Sequence, residues 1–173
     1  MHLTNAKRSQ FILMLVVALL LATTAQAADH PVITKLLGQD QPPPGVVFEI
    51  VTGDPQALRW AVPQVADYAR RLRERFPKLE IAVVTHGKEM FALQTDKRAA
   101  APQVHAEIEQ LVKDQHIPVH VCETYAAWRG VGAEAFPEYV NVAPEGPTQV
   151  KNYMALGYVL IRINTPMDAK PAP

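Results

Sequence analysis

The chain has 173 residues, 17 basic against 17 acidic side chains, no formal net charge, and one cysteine, Cys122. Without a basic surplus, nothing in the composition points to nucleic acid or an anionic lipid surface as a partner. A single cysteine cannot close an internal disulfide, which excludes a disulfide-stapled scaffold.

The N-terminus reads as a secretory signal. Lys7 and Arg8 precede an apolar run over residues 11–22, too short to span a bilayer comfortably, and Ala25-Gln26-Ala27 supplies a small-x-small cleavage site. Residues 1–27 are thus expected to be a cleaved signal peptide, with export to a bacterial periplasm and no membrane attachment afterwards. They take two basic and no acidic residues with them, so the remaining chain is slightly acidic. Residues 28–45 read as a short leader containing Leu36 and Leu37, followed by the linker "GQDQPPPG", which resists helix and strand alike.

The domain is expected over residues 46–163, long enough for one core. "VVFEIV" (46–51) is a strand, after which Asp54 is placed to cap a helix with Pro55 in its first turn. Leu58, Val62, Val65, Ala69, Leu72 and Phe76 recur at helical spacing, and Pro63 is expected to kink or restart that helix. "LEIAVVTHG" (79–87) is a second strand ending in His86-Gly87. A short apolar piece (90–93) leads to a helix carrying Val104, Ile108, Leu111 and Val112. The third strand covers 119–122, with Pro118 at its entry, and a helical turn through Tyr125 and Trp128 follows. "YVNVA" (139–143) is a fourth strand. Pro147 and Thr148 open a helix that stops at Gly157, and "YVLIRI" (158–163) is the fifth strand. The tail, 164–173, has nothing apolar beyond Met167 and reads as disordered. Near-continuous apolar strands alternating with helices predict a three-layer α/β/α sandwich around a mainly parallel five-stranded sheet. Strand order is not legible in the pattern.

In such sheets ligands gather at the carboxyl ends of the strands. Gly53-Asp54, His86-Gly87 and Cys122-Glu123 all map there. Cys122 stands where a helix N-terminus favours the reactive thiolate, His120 shares its strand face, and His86 can approach from a neighbouring strand. The plainer alternatives are a packed cysteine and a turn histidine. His105, His116 and the Arg70–Glu74 pair read as solvated surface. Trp60, Tyr68 and Trp128 read as packing or subunit contacts. No dinucleotide fingerprint, phosphate loop, nucleophile elbow or zinc helix occurs, and His86, His120 and Cys122 are thin support for a metal. No cofactor or metal is therefore expected.

The order strand, Cys122, Ala126, Arg129-Gly130 resembles the active-site segment of DsrE- and TusD-type sulfurtransferases. "VVTHG" (83–87) and "VAPEGPTQVKNYMALGYVLIRI" (142–163) are similar to the exported DsrE/DsrF-like branch, so the likeness covers roughly 46–163. The resemblance implies a parallel-sheet fold assembled as a homotrimer or hexamer. It also implies that Cys122 holds sulfane sulfur as a persulfide and passes it to a partner thiol, with a protein as sulfur donor or acceptor. His86 and His120 are the candidate acid or base, and Glu123, Arg129 and Gly130 are expected to anchor the loop. Two alternatives stand beside this: a non-catalytic ligand-, metal- or protein-binding module of the same fold, and an assembly subunit whose cysteine is packing.

Overall fold

The computed structural model describes residues 30–166. The expected signal peptide (1–27) and most of the expected tail lie outside them. Five strands form one sheet: β1 (Gly45–Ile50), β2 (Glu80–Thr85), β3 (Val119–Cys122), β4 (Asn141–Ala143) and β5 (Tyr158–Ile163). Their order is β4-β3-β2-β1-β5 and every pairing is parallel. The chain builds outward from β1 through β2, β3 and β4, then returns to the other side of β1. The strand order therefore reverses between β1 and β5, the kind of switch point where open α/β sheets form a crevice.

The sheet's two faces differ. On one, Val46, Phe48, Ile50, Ile81, Val83, Val119, Val121, Ile161 and Ile163 join the main core. Three helices cover that face: α1 (Pro31–Leu37), α2 (Leu58–Arg75) and α3 (Pro102–Lys113). A short helix, α4 (Glu123–Trp128), follows β3 directly. On the other face a single helix, α5 (Gly146–Ala155), lies over β1, β2, β3 and β5. Its Val150 meets Val47, Ala82 and Val84, a much smaller cluster.

Several local expectations change. The leader is not loose: α1 buries Ile33 and Leu36 in the main core. Asp54 does not cap α2. Its carboxylate accepts from the Gln56 N–H at 2.9 Å and its carbonyl from Ala57, so a turn precedes the helix, which begins at Leu58. α2 does not restart at Pro63 but continues through it as one helix, giving up the bond that a residue there would donate to the Arg59 carbonyl. β4 is three residues long rather than five. Tyr68 is buried, stacked on Phe48 at 6.3 Å, and so is no subunit contact. His105 is buried as well, held by the Ala92 carbonyl at 3.0 Å and the Tyr139 hydroxyl at 2.7 Å. A carbonyl only accepts, so Nε2 carries the proton and Nδ1 accepts from Tyr139. Burial pushes the His105 imidazole below its ordinary value. His116 stays exposed in a left-handed conformation beyond α3, and Arg70 pairs with Glu74 at 2.7 Å on the surface.

Candidate functional site

Side-chain alternation puts Glu49, His120 and Arg162 on the thinly covered face, and Cys122, at the very end of β3, follows the same alternation while packing into the main core. Val84 pairs with His120 and Thr85 with Val121, so continuing the register sets His86 opposite Cys122, roughly 5 Å away across neighbouring strands. The first residue of α5 closes over both. A Cβ added to Gly146 would overlap the His86 Cβ and stand 3.3 Å from the Cys122 Cβ, so only glycine lets the helix start there.

Behind His86 stands Glu49. Its Oε1 is 2.9 Å from His86 Nε2, and its Oε2 accepts from Arg162 Nε at 2.7 Å. The carboxylate is buried, whereas the Arg162 side chain is 63% exposed. Four strands thus contribute to one line along their carboxyl ends: Arg162 from β5, Glu49 from β1, His86 just past β2, and Cys122 ending β3. Because Glu49 accepts, the neutral His86 ring keeps its proton on Nε2 and leaves Nδ1 unprotonated. Nδ1 has no hydrogen-bond partner among the described residues. Glu49, Arg162 and Gly146 were not among the site residues expected from the sequence. A signal existed: each charge interrupts an otherwise apolar strand, and a charge on a covered strand requires a partner.

Cys122 is only 4% exposed, more buried than a reactive thiol was expected to be. It caps α4, with its Sγ accepting from the Tyr125 N–H at 3.4 Å. Two hydrogen bonds from Thr124, amide and hydroxyl, hold the Pro144 carbonyl at 3.1 and 2.8 Å and fix the turn that covers the thiol. Access to sulfur therefore requires this turn to move.

The remaining site residues separate by role. His120 lies two residues before Cys122 on the same face but is engaged by the Tyr153 hydroxyl at 2.9 Å, and burial lowers its pKa. It packs α5 onto the sheet. Gly130 takes φ +71° and ends α4, with its N–H and that of Val131 donating to Ala127 and Ala126, which accounts for the glycine of the Arg-Gly pair. Arg129 does not anchor the loop: its side chain is exposed and makes no hydrogen bond or ion pair among the described residues. Glu123 is exposed too. No three of His, Cys, Asp and Glu are grouped to hold a metal among the described residues. An apolar cleft of about 230 Å³, lined by Leu58, Phe91, Ala92 and Val104, lies off this line, and Cys122 does not border it.

A second buried carboxylate organises the same edge. Glu89, with no exposure, accepts from Thr52 N (2.9 Å), Thr52 Oγ1 (3.1 Å), Thr85 Oγ1 (2.8 Å) and Gly87 N (2.8 Å). It ties the loop after β1 to the loop after β2 and so holds the backbone on which His86 sits.

With this geometry in hand, the chain can be set beside solved structures. MTH1491, a protein of unknown function from Methanobacterium thermoautotrophicum, matches 68% of this chain and 97% of its own, with a TM-score of 0.54 at 20% identity. The chain has the DsrE/YchN-like fold. BT1422 of Bacteroides thetaiotaomicron, also of unknown function, covers 68% of this chain and 93% of its own at TM-score 0.49 and 19% identity. YchN of E. coli covers 69% and 99% at TM-score 0.48 and 15% identity. The sequence matches no protein-family model and no curated protein. The likeness to MTH1491 shows the fold alone, an α/β/α sandwich, and the chemistry has to come from the site itself.

Proposed function

We propose that this DsrE/YchN-like chain is an exported sulfur carrier that holds sulfane sulfur on Cys122 and passes it to a partner thiol. The observation that carries the reading is the pairing of Cys122 with His86 across adjacent strands, with Glu49 behind the imidazole. A thiol needs a base to become a nucleophile, and an imidazole whose far nitrogen is held by a carboxylate supplies one.

In the proposed step His86 Nδ1 takes the Cys122 proton as the covering turn opens. The thiolate attacks the terminal sulfur of a donor persulfide. A sulfur–sulfur bond forms at Cys122, the donor's own breaks, and its electron pair leaves on the donor sulfur. That sulfur collects the proton from the imidazolium, so one thiol and one persulfide exchange places with no net oxidation. A partner thiolate then repeats the attack on Cys122. The resemblance of residues 46–163 supports the sulfur chemistry and a homo-oligomer. The signal-like N-terminus supports a periplasmic setting.

A second reading, a non-catalytic ligand- or protein-binding module, is favoured by the burial of Cys122. Intact mass after incubation with a low-molecular-weight persulfide separates the two. The carrier reading expects the native protein to gain one sulfur and Cys122→Ser to gain none. An unmodified native protein supports the binding module.

A further inference from the structure

We infer that Glu49 is the positioning residue of the site, and that it acts on Cys122 only through His86. The inference takes from the sulfur-carrier reading no more than that Cys122 reacts as a thiolate. Glu49 is the one carboxylate on the thin face of β1. Its two oxygens are divided between a histidine and an arginine, at 2.9 and 2.7 Å. A residue needed only to join β1 to β5 would be satisfied by Arg162 alone. The second oxygen instead fixes the His86 ring and sets its tautomer, so that the unprotonated nitrogen is Nδ1. Arg162, projecting to solvent beyond Glu49, donates its Nε–H to the other carboxylate oxygen at 2.7 Å and leaves Oε1 to the imidazole. Neither residue touches the thiol. Glu49 orients the imidazole, and Arg162 occupies its other oxygen.

A thiol, an imidazole and a carboxylate thus follow one another across three strands; Cys122 Sγ is bonded to the Tyr125 N–H and not to His86, and the carboxylate sets which imidazole nitrogen is left free to accept a proton. Glu49→Gln tests this because an amide offers one acceptor oxygen to two donors. With that oxygen on Arg162, the amide turns its N–H donors toward His86 Nε2 and favours the opposite tautomer, with the proton on Nδ1.

The experiment measures alkylation of Cys122 by iodoacetamide at neutral pH, beside thermal melts, for the native protein, Glu49→Gln and Arg162→Gln. Nitrogen-15 spectra of the imidazoles are recorded on the native protein. The expected results are an Nε2–H tautomer for neutral His86, an alkylation rate lower by about tenfold or more in Glu49→Gln, and a much smaller change in Arg162→Gln. Three results overturn the inference: an Nδ1–H tautomer, a native rate in Glu49→Gln, or equal loss of rate in both variants in step with lowered melts, the mark of a purely structural pair. If Glu49→Gln does not fold, the native tautomer decides. Sulfur uptake from a persulfide is scored separately. Uptake failing while alkylation depends on Glu49 sinks the carrier reading and leaves this inference standing; uptake that ignores Glu49 does the reverse.

Discussion

Two buried carboxylates, forty residues apart in sequence and one loop apart in space, have opposite surroundings. Glu89 is enclosed by amides and hydroxyls, none of which changes charge near neutral pH. Glu49 is shared between an imidazole and a guanidinium. The first arrangement can only hold a backbone in place. The second links a carboxylate to an imidazole, a group that can carry a proton on either nitrogen, one strand away from a thiol. Burial alone thus says little about the role of an acidic residue; the chemistry of its partners separates scaffold from site.

The sharpest way to test the scaffold half of this contrast is Glu89→Ala. It strands the Thr52 and Gly87 amides in a dry pocket and should cost about 3 kcal/mol of unfolding free energy, read from urea denaturation. A loss below about 1 kcal/mol would mean that solvent reaches the knot and that Glu89 is no scaffold. Gly146→Ala probes the site half. Its new methyl meets the His86 Cβ, so the start of α5 must shift, at about 1–3 kcal/mol, with Cys122 becoming more accessible to alkylation. An unchanged melt and an unchanged alkylation rate would show that the cover over the thiol is loose.

Much of the fold was readable because it follows from apolar periodicity. β3 and β5 begin and end where their alternation says, and α2 and α3 bury the stripes that their spacing marks. Strand order was not readable, since five interchangeable apolar strands carry no label for their neighbours. Cys122 and His86 were singled out from sequence as chemically distinctive residues at strand ends. Glu49 and Arg162 were missed because a partner 113 residues away is invisible to local pattern. His105 was misplaced for a related reason: its helix face looked charged, but Ala92 and Tyr139 arrive from other elements to bury it.

That histidine gives a smaller, graded effect. Burial holds His105 and His120 below the ordinary imidazole value, so the folded protein resists protons that the unfolded chain accepts as pH falls through about 6.5. Stability is therefore full above that pH and declines below it. Urea midpoints should fall between pH 7 and 5, and the fall should shrink in a His105→Gln variant measured against its own pH 7 value. A flat profile for the native protein would contradict the assigned burial. The smallest effect belongs to the surface: Glu74→Ala breaks an exposed pair with Arg70 and should leave the midpoint unmoved within error, since both side chains are mostly solvated. A clear drop there would mean that charge matters more on α2 than at the sheet edge.

The central claim is that Cys122 is buried yet reactive, because a local opening of the turn around Pro144 and Gly146 exposes it beside His86. The direct measurement is the rate of Cys122 alkylation in the native protein across urea concentrations well below the unfolding midpoint. Local opening exposes little surface, so the rate should be nearly independent of urea there and far faster than global unfolding allows. A rate that climbs with urea as steeply as global unfolding does would show that the thiol reacts only when the chain unfolds, and Cys122 would then be a packing residue.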